Sequence, residues 1–222
     1  MRKVEVDPWN PRPDQLQPLV DAIARGQLVA FPTDTTWVIA ASPFKSAALG
    51  RLEDARARMH GSQRVQKGKP MSLLCGQLST IGTFTLMDQP QFRLVKRLLP
   101  GPYTLLLPTS IQVPRQLQSK RNVLGIRMAS HALVETLFEM ASEPLIVATA
   151  RTPDGELIGS VVELEQMLQD RVDVAVETEP VVPQASTVLD LTGQGVRVLR
   201  QGAGPVDPEW ELATDEAPEG ER

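Results

Sequence analysis

Leu28-Val29-Ala30-Phe31-Pro32-Thr33-Asp34-Thr35-Thr36-Trp37 is the stretch from which the fold of this chain can be read. Its apolar first half suits a buried strand. Pro32 has no N–H to give to a ladder, so the strand ends there and presents Thr33 to Thr36 in a loop beyond its edge. Small polar side chains at the end of a buried strand are well placed to hydrogen-bond a small polar ligand. The same four residues also suit a plain Asx or threonine turn.

Upstream, residues 14–25 read as a helix, with Leu16, Leu19, Val20 and Ile23 on one face and Gly26 as its stop. Downstream, Ser46 caps a helix to about residue 58, and 71–75 is a short strand. A helix over 91–99 is ended by Pro100-Gly101. Residues 103–107 and 123–128 are strands, and Ser130 caps a helix whose apolar face holds Leu133, Leu137 and Met140. Then come a strand at 144–148, a helix near 162–169, and strands near 172–177, 186–191 and 196–200. Strands alternating with helices define an α/β domain, and the close spacing of the last strands requires a sheet with parallel and antiparallel pairs. The expectation is one domain over residues 1–206: a twisted mixed sheet flanked by helices around a basic concave cavity. A disordered acidic tail, rich in Pro, Glu and Asp, follows over 207–222.

A content of 41 % hydrophobic residues in 222 allows a substantial core. No stretch approaches the roughly 18 apolar residues of a membrane span, and the N-terminus has no apolar signal core, so the default is a cytoplasmic protein. Cys75 is the single cysteine, which excludes an internal disulfide and a cysteine-based zinc cluster. It ends an apolar strand and reads as an inert buried thiol. The net charge of −4 is unevenly spread. Residues 45–127 carry 14 Lys and Arg against three acids, a net of +11, whereas 128–222 carry a net of −14. That division fits a basic surface for phosphates or RNA, and it equally fits solvated faces that interleave in space.

Further blocks accompany the opening stretch. Pro100-Gly101-Pro102-Tyr103-Thr104 leads into an apolar strand, and Leu124-Gly125-Ile126-Arg127 sets a lone cation at the end of another. Ser186-Thr187-Val188-Leu189-Asp190-Leu191 and Arg200-Gln201-Gly202 close the series. In this order and spacing, over roughly residues 15–203, the chain resembles the YrdC/YciO family, and its YciO-type paralogues more than its YrdC-type synthases. The synthases make threonylcarbamoyl-AMP from L-threonine, bicarbonate and ATP, for the threonylcarbamoyladenosine modification beside the tRNA anticodon. The resemblance therefore implies a nucleotidyltransferase with ATP as substrate and Mg²⁺ bridging its phosphates, a habit that needs no protein metal cage. It also implies a rival: a non-catalytic paralogue that grips tRNA or double-stranded RNA by backbone and shape. A related carbamoyl-adenylate chemistry on another substrate is a third reading.

By the same resemblance, Thr33 and Thr35 would hold threonine, and Arg127 would pair with its carboxylate as a bidentate guanidinium can. A surface salt bridge is the plain alternative for Arg127. Thr104, Ser186, Thr187 and Arg200 would line the nucleotide side. Arg56 and Arg58 occupy the places where the synthases put a lysine and an arginine for the triphosphate. The following link is lengthened by residues 60–68, after which Lys69-Pro70-Met71-Ser72-Leu73 matches again. The insert could supply a phosphate-binding lysine, touch RNA, or be a solvated loop. A second departure lies after the strand at 144–148, where the synthases carry a serine and, two residues on, an asparagine. Here those residues are Ala150 and Thr152, with Thr152 and Arg151 available to compensate. His60 and His131 lie in no metal or nucleophile motif, and His131, beside a helix start, suits a capping or surface role. There is no Walker loop and no dinucleotide fingerprint.

Overall fold

The computed structural model describes residues 1–59, 71–114, 117–118 and 121–212. The buried run at Leu28 is strand β2 (Val29–Pro32), and a tight turn returns it antiparallel as β3 (Trp37–Ala41), with Pro32 opposite Trp37. All nine residues of this hairpin's strands are buried. Among the described residues the sheet grows on both sides of it to eleven strands. The others are β1 (Arg2–Glu5), β4 (Ser72–Leu74), β5 (Tyr103–Pro108), β6 (Val123–Arg127), β7 (Leu145–Thr149), β8 (Val174–Glu177), β9 (Thr187–Asp190), β10 (Arg197–Arg200) and β11 (Glu211–Leu212). Their order is β1-β8-β2-β3-β7-β4-β6-β5-β9-β10-β11, with parallel pairs such as β2·β8 and β4·β6 and antiparallel ones such as β3·β7 and β5·β6. This is the mixed α/β sheet that the alternation predicts.

Among the described residues six helices flank the sheet: α1 (Pro13–Ala24), α2 (Ser46–Met59), α3 (Leu78–Phe84), α4 (Gln89–Leu98), α5 (Ala132–Met140) and α6 (Val161–Leu168). None of the described helices is long and apolar enough to cross a membrane. Proline at the start of α1 fixes φ where an N–H has no helical partner, and Gly26, at φ +74°, turns the chain from α1 into β2. Helix α5 departs from expectation at its start. His131, not Ser130, occupies the N-cap, and its side chain makes no capping bond.

Two apolar cores result. The first, built on Leu16, Leu19, Phe31, Trp37, Ile39, Leu52, Ile146 and Leu164, joins α1, α2, α5 and α6 to the β1–β7 part of the sheet. The second, built on Leu73, Ile81, Val95, Leu105, Ile126, Leu189 and Val198, lies under α3, α4 and the β5, β6, β9 and β10 strands. Strand β4 is shared, with Leu73 in one core and Leu74 in the other. Cys75 lies in the second core, where burial pushes its thiol up to about 12, as suits an inert side chain.

The expected tail boundary needs correcting. Asp207 to Trp210 form a turn closed by Trp210 N–H to the Asp207 carbonyl, and β11 then pairs parallel with β10. Trp210 packs against the second core. Residues 207–212 therefore belong to the folded domain, and residues 213–222 lie outside the described residues.

Candidate functional site

The turn between β2 and β3 is built by its own hydroxyls. Thr33 Oγ1 donates to the Thr36 carbonyl at 2.7 Å and accepts from the Thr35 and Thr36 N–H groups, both at 3.3 Å. Thr33 thus makes the threonine turn that the sequence allows. Among the described residues Thr35 Oγ1 has one side-chain partner, Thr33 Oγ1 at 3.1 Å, and is less committed than Thr33 Oγ1. Both residues are buried.

Asp34, between them, does something that local sequence does not announce. Its Oδ1 accepts from Arg127 Nη2 at 2.8 Å and its Oδ2 from the Ser130 N–H at 3.2 Å. Along the ladder, Arg127 is level with Leu74 and Leu145, at the far end of β7 from Thr149, which borders the start of β3. Four strand-to-strand steps separate β2 from β6. At about 20–25° of twist per step the two strands cross at roughly a right angle. The Asp34–Arg127 bond joins the turn after β2 to the end of β6 across these steps. Arg127 is only 4 % exposed, so the pair is a buried ion pair and not the surface bridge of the plain reading. Burial pushes the guanidinium down from its ordinary value and Asp34 counters this. Its Nε has no partner among the described residues, a buried donor left open beside the threonine turn.

A second group faces the same region from β5, β9 and β10. Thr104 Oγ1 and Ser186 Oγ are 2.8 Å apart. Arg200 donates to the Ser186 carbonyl through Nε at 3.1 Å and Nη2 at 2.8 Å, and to Ser186 Oγ at 3.2 Å. Two residues before Ser186, the Gln184 N–H donates to the Thr35 carbonyl at 2.7 Å, which ties this group to the threonine turn. Arg200 is pushed down from its ordinary value first by burial and then by the positive charges of Arg151 and Arg127. Thr187 is used differently. It is fully buried, donating to the Gly204 carbonyl at 2.6 Å and accepting from the Gly202 N–H at 2.9 Å. It fixes the 202–204 loop, and Gly202 is required there because a Cβ would strike the Ala185 carbonyl.

The remaining expected residues are not bonded to either group among the described residues. Arg56 and Arg58 sit in the last turn of α2, and no hydrogen bond or ion pair among the described residues joins either to the threonine turn. Arg58 lines a hollow of about 430 Å³ with Pro153, Gln166 and Met167. Lys69 and the 60–68 insert lie outside the described residues. Thr152 closes its own turn, its hydroxyl accepting the Glu156 N–H at 3.2 Å. Ala150 is wholly buried in the first core. His131 is buried rather than a surface residue, and Trp9 stacks on it with ring centroids 5.6 Å apart. Burial pushes His131 down from its ordinary value, partly offset by Asp34 and Glu135, and its Nδ1 has no partner among the described residues. Asp34 and Gln184 are the site residues that sequence reasoning missed, since their partners stand 93 and 149 positions away.

A single mixed sheet flanked by helices, with buried hydroxyls and a buried arginine joined at one turn, defines an α/β domain. The family described as Telomere recombination, Sua5/YciO/YrdC, matches residues 21–202, and this chain belongs to it. The uncharacterized protein YciO of Escherichia coli strain K12 is 30 % identical over 208 residues, covering 91 % of this chain and 96 % of that one. A putative threonylcarbamoyl-AMP synthase of Mycobacterium tuberculosis is 32 % identical over 193 residues, covering 86 % and 84 %. The crystal structure of E. coli YciO superposes with a TM-score of 0.85 at 27 % identity, covering 94 % of this chain and 99 % of that one. Pyrococcus abyssi Sua5, solved in complex with L-threonine, shares the fold at a TM-score of 0.84 and 22 % identity, covering 96 % of this chain and 63 % of that one.

Proposed function

We propose that this chain binds L-threonine and ATP where the threonine turn meets Arg127 and the Thr104–Ser186–Arg200 group, and that it forms threonylcarbamoyl-AMP slowly. The observation that carries the reading is the convergence itself. Free polar capacity suited to an amino acid, Thr35 Oγ1 and the unpartnered Arg127 Nε, lies beside a hydroxyl-and-arginine group suited to a phosphate. Family membership with threonylcarbamoyl-AMP synthases, and a threonine-bound neighbour of the same fold, support it.

The reaction has two steps. The threonine amine adds to bicarbonate with loss of water, giving a carbamate. A carbamate oxygen then bonds to the α-phosphorus of ATP, and the bond to the β-phosphate oxygen breaks to release pyrophosphate. The chain's task is to place the two reactants and to meet the negative charge that develops, for which fixed cations and hydrogen-bond donors are suited. Among the described residues no group of His, Cys, Asp and Glu is placed to hold a metal ion. A Mg²⁺ that arrives on the phosphates would offset their charge, a mode of binding that calls for no protein cage. Slowness follows from Ala150, which has no hydroxyl, and Thr152, whose hydroxyl is committed to Glu156. Each lost contact is worth roughly 0.5–1.5 kcal/mol, and about 1.4 kcal/mol is tenfold.

The test is pyrophosphate release from ATP with threonine and bicarbonate, beside a full-motif synthase, together with thermal shifts. L-threonine with ATP should raise Tm, Thr35→Ala and Arg127→Ala should abolish the shift, and turnover should be threonine-dependent but slower than the control. Ligand at a hundredfold excess over Kd stabilises by about 2.7 kcal/mol, which is easily seen. Wild type that neither shifts nor turns over at millimolar ligand overturns the reading.

A further inference from the structure

We infer that Arg151, which lies between Ala150 and Thr152, is a phosphate-binding residue of this site. The inference rests on the nucleotide reading above. Arg151 follows β7, and the antiparallel pairing of β7 with β3 carries the chain back along the hairpin until the Ala150 N–H donates to the Trp37 carbonyl at 2.9 Å. Arg151 therefore leaves the sheet beside the threonine turn. Its own N–H meets Met59 Sδ at 3.3 Å, which brings the C-terminal end of α2 to the same place.

The side chain is oriented without being neutralised. Arg151 Nη1 donates to the Gly155 carbonyl at 2.8 Å, within a turn that Gly155 closes at φ +92°, where a side chain would be strained. Arg200 is held in the same manner by the carbonyl and hydroxyl of Ser186. Neither arginine has an ion-pair partner among the described residues, and the two guanidiniums are near enough to repel each other. Arg127 adds a third cation, and Asp34 cancels only that one. Cations fixed by neutral acceptors and left in excess are preorganised for an anion, and a guanidinium suits phosphate oxygens.

The ligand class is a nucleoside polyphosphate, because the excess charge calls for more than one phosphate while the neighbouring turn accommodates a small molecule. A consequence is that affinity depends on phosphate number. The test measures binding of ATP, AMP and adenosine, each with Mg²⁺, to full-length wild type, Arg151→Ala and Arg151→Lys by calorimetry, with Tm as the check on folding. Wild type should bind ATP more tightly than AMP. Arg151→Ala should weaken ATP roughly ten- to hundredfold, as for loss of a charge-assisted contact, and leave adenosine unchanged. Arg151→Lys should recover part of the loss. A folded Arg151→Ala protein with wild-type ATP affinity overturns this assignment and leaves the function standing. The same holds if the variant loses only tRNA binding, measured in parallel. Wild type that binds no ATP overturns both.

Discussion

Asp34 shows how one residue can serve the fold and the site together. Its carboxylate holds Arg127 and the start of the loop to α5, and removing it leaves a buried guanidinium without its counter-charge. Breaking a buried pair from one side costs about 3–5 kcal/mol. For a domain of this size, Asp34→Ala should therefore lower Tm by roughly 6–20 °C. A shift within 2 °C by calorimetry would show that the pair is dispensable. His131, near the same carboxylate, gives a pH signature. Its folded value lies below the unfolded one, so the unfolded chain binds the extra proton first. Stability should then fall as pH drops below about 6.5, through the folded value. His131→Phe, which keeps a ring under Trp9, should flatten Tm between pH 6.5 and 5; an unchanged slope would assign the dependence to other groups.

At the scale of elements, the sequence was most legible where a single device fixes an end. Pro32, Gly26 and Pro100-Gly101 mark their boundaries because each removes a donor or supplies a special φ. Strand β3 escaped because Trp37–Ala41 is as apolar as β2, and only the four-residue turn separates them. Strand β1, with mostly exposed residues on the sheet's edge, has no apolar alternation to read. Helix α3 has seven residues and no side-chain cap. The site was legible in its residue types, since Thr33, Thr35, Thr104, Arg127, Ser186 and Arg200 lie in two linked groups. It was not legible in its wiring, because Asp34 and Arg127 are 93 positions apart in the chain and four strand steps apart in the sheet. The final element invites a direct check. Ending the chain after Val206 removes β11, the packing of Trp210 on the second core and the exposed Arg97–Asp207 pair. The truncated protein should melt several degrees lower, whereas a chain that behaves like wild type would make 207–212 an ornament of the fold.

On the scale of the whole molecule, one sheet serves two cores, and the candidate site belongs to neither alone. The threonine turn extends from strands packed in the first core, and Arg127, Thr104, Ser186 and Arg200 from strands packed in the second. The Asp34–Arg127 pair and the Gln184–Thr35 bond are the stitches between them. A bound ligand would add further stitches, so it acts as a clasp on the relative set of the two halves. Such a clasp makes recognition a measure of alignment: a rotation of one half against the other that leaves every helix and strand intact would still open the site. Binding can thus be lost through a motion that no spectroscopic measure of secondary structure would register.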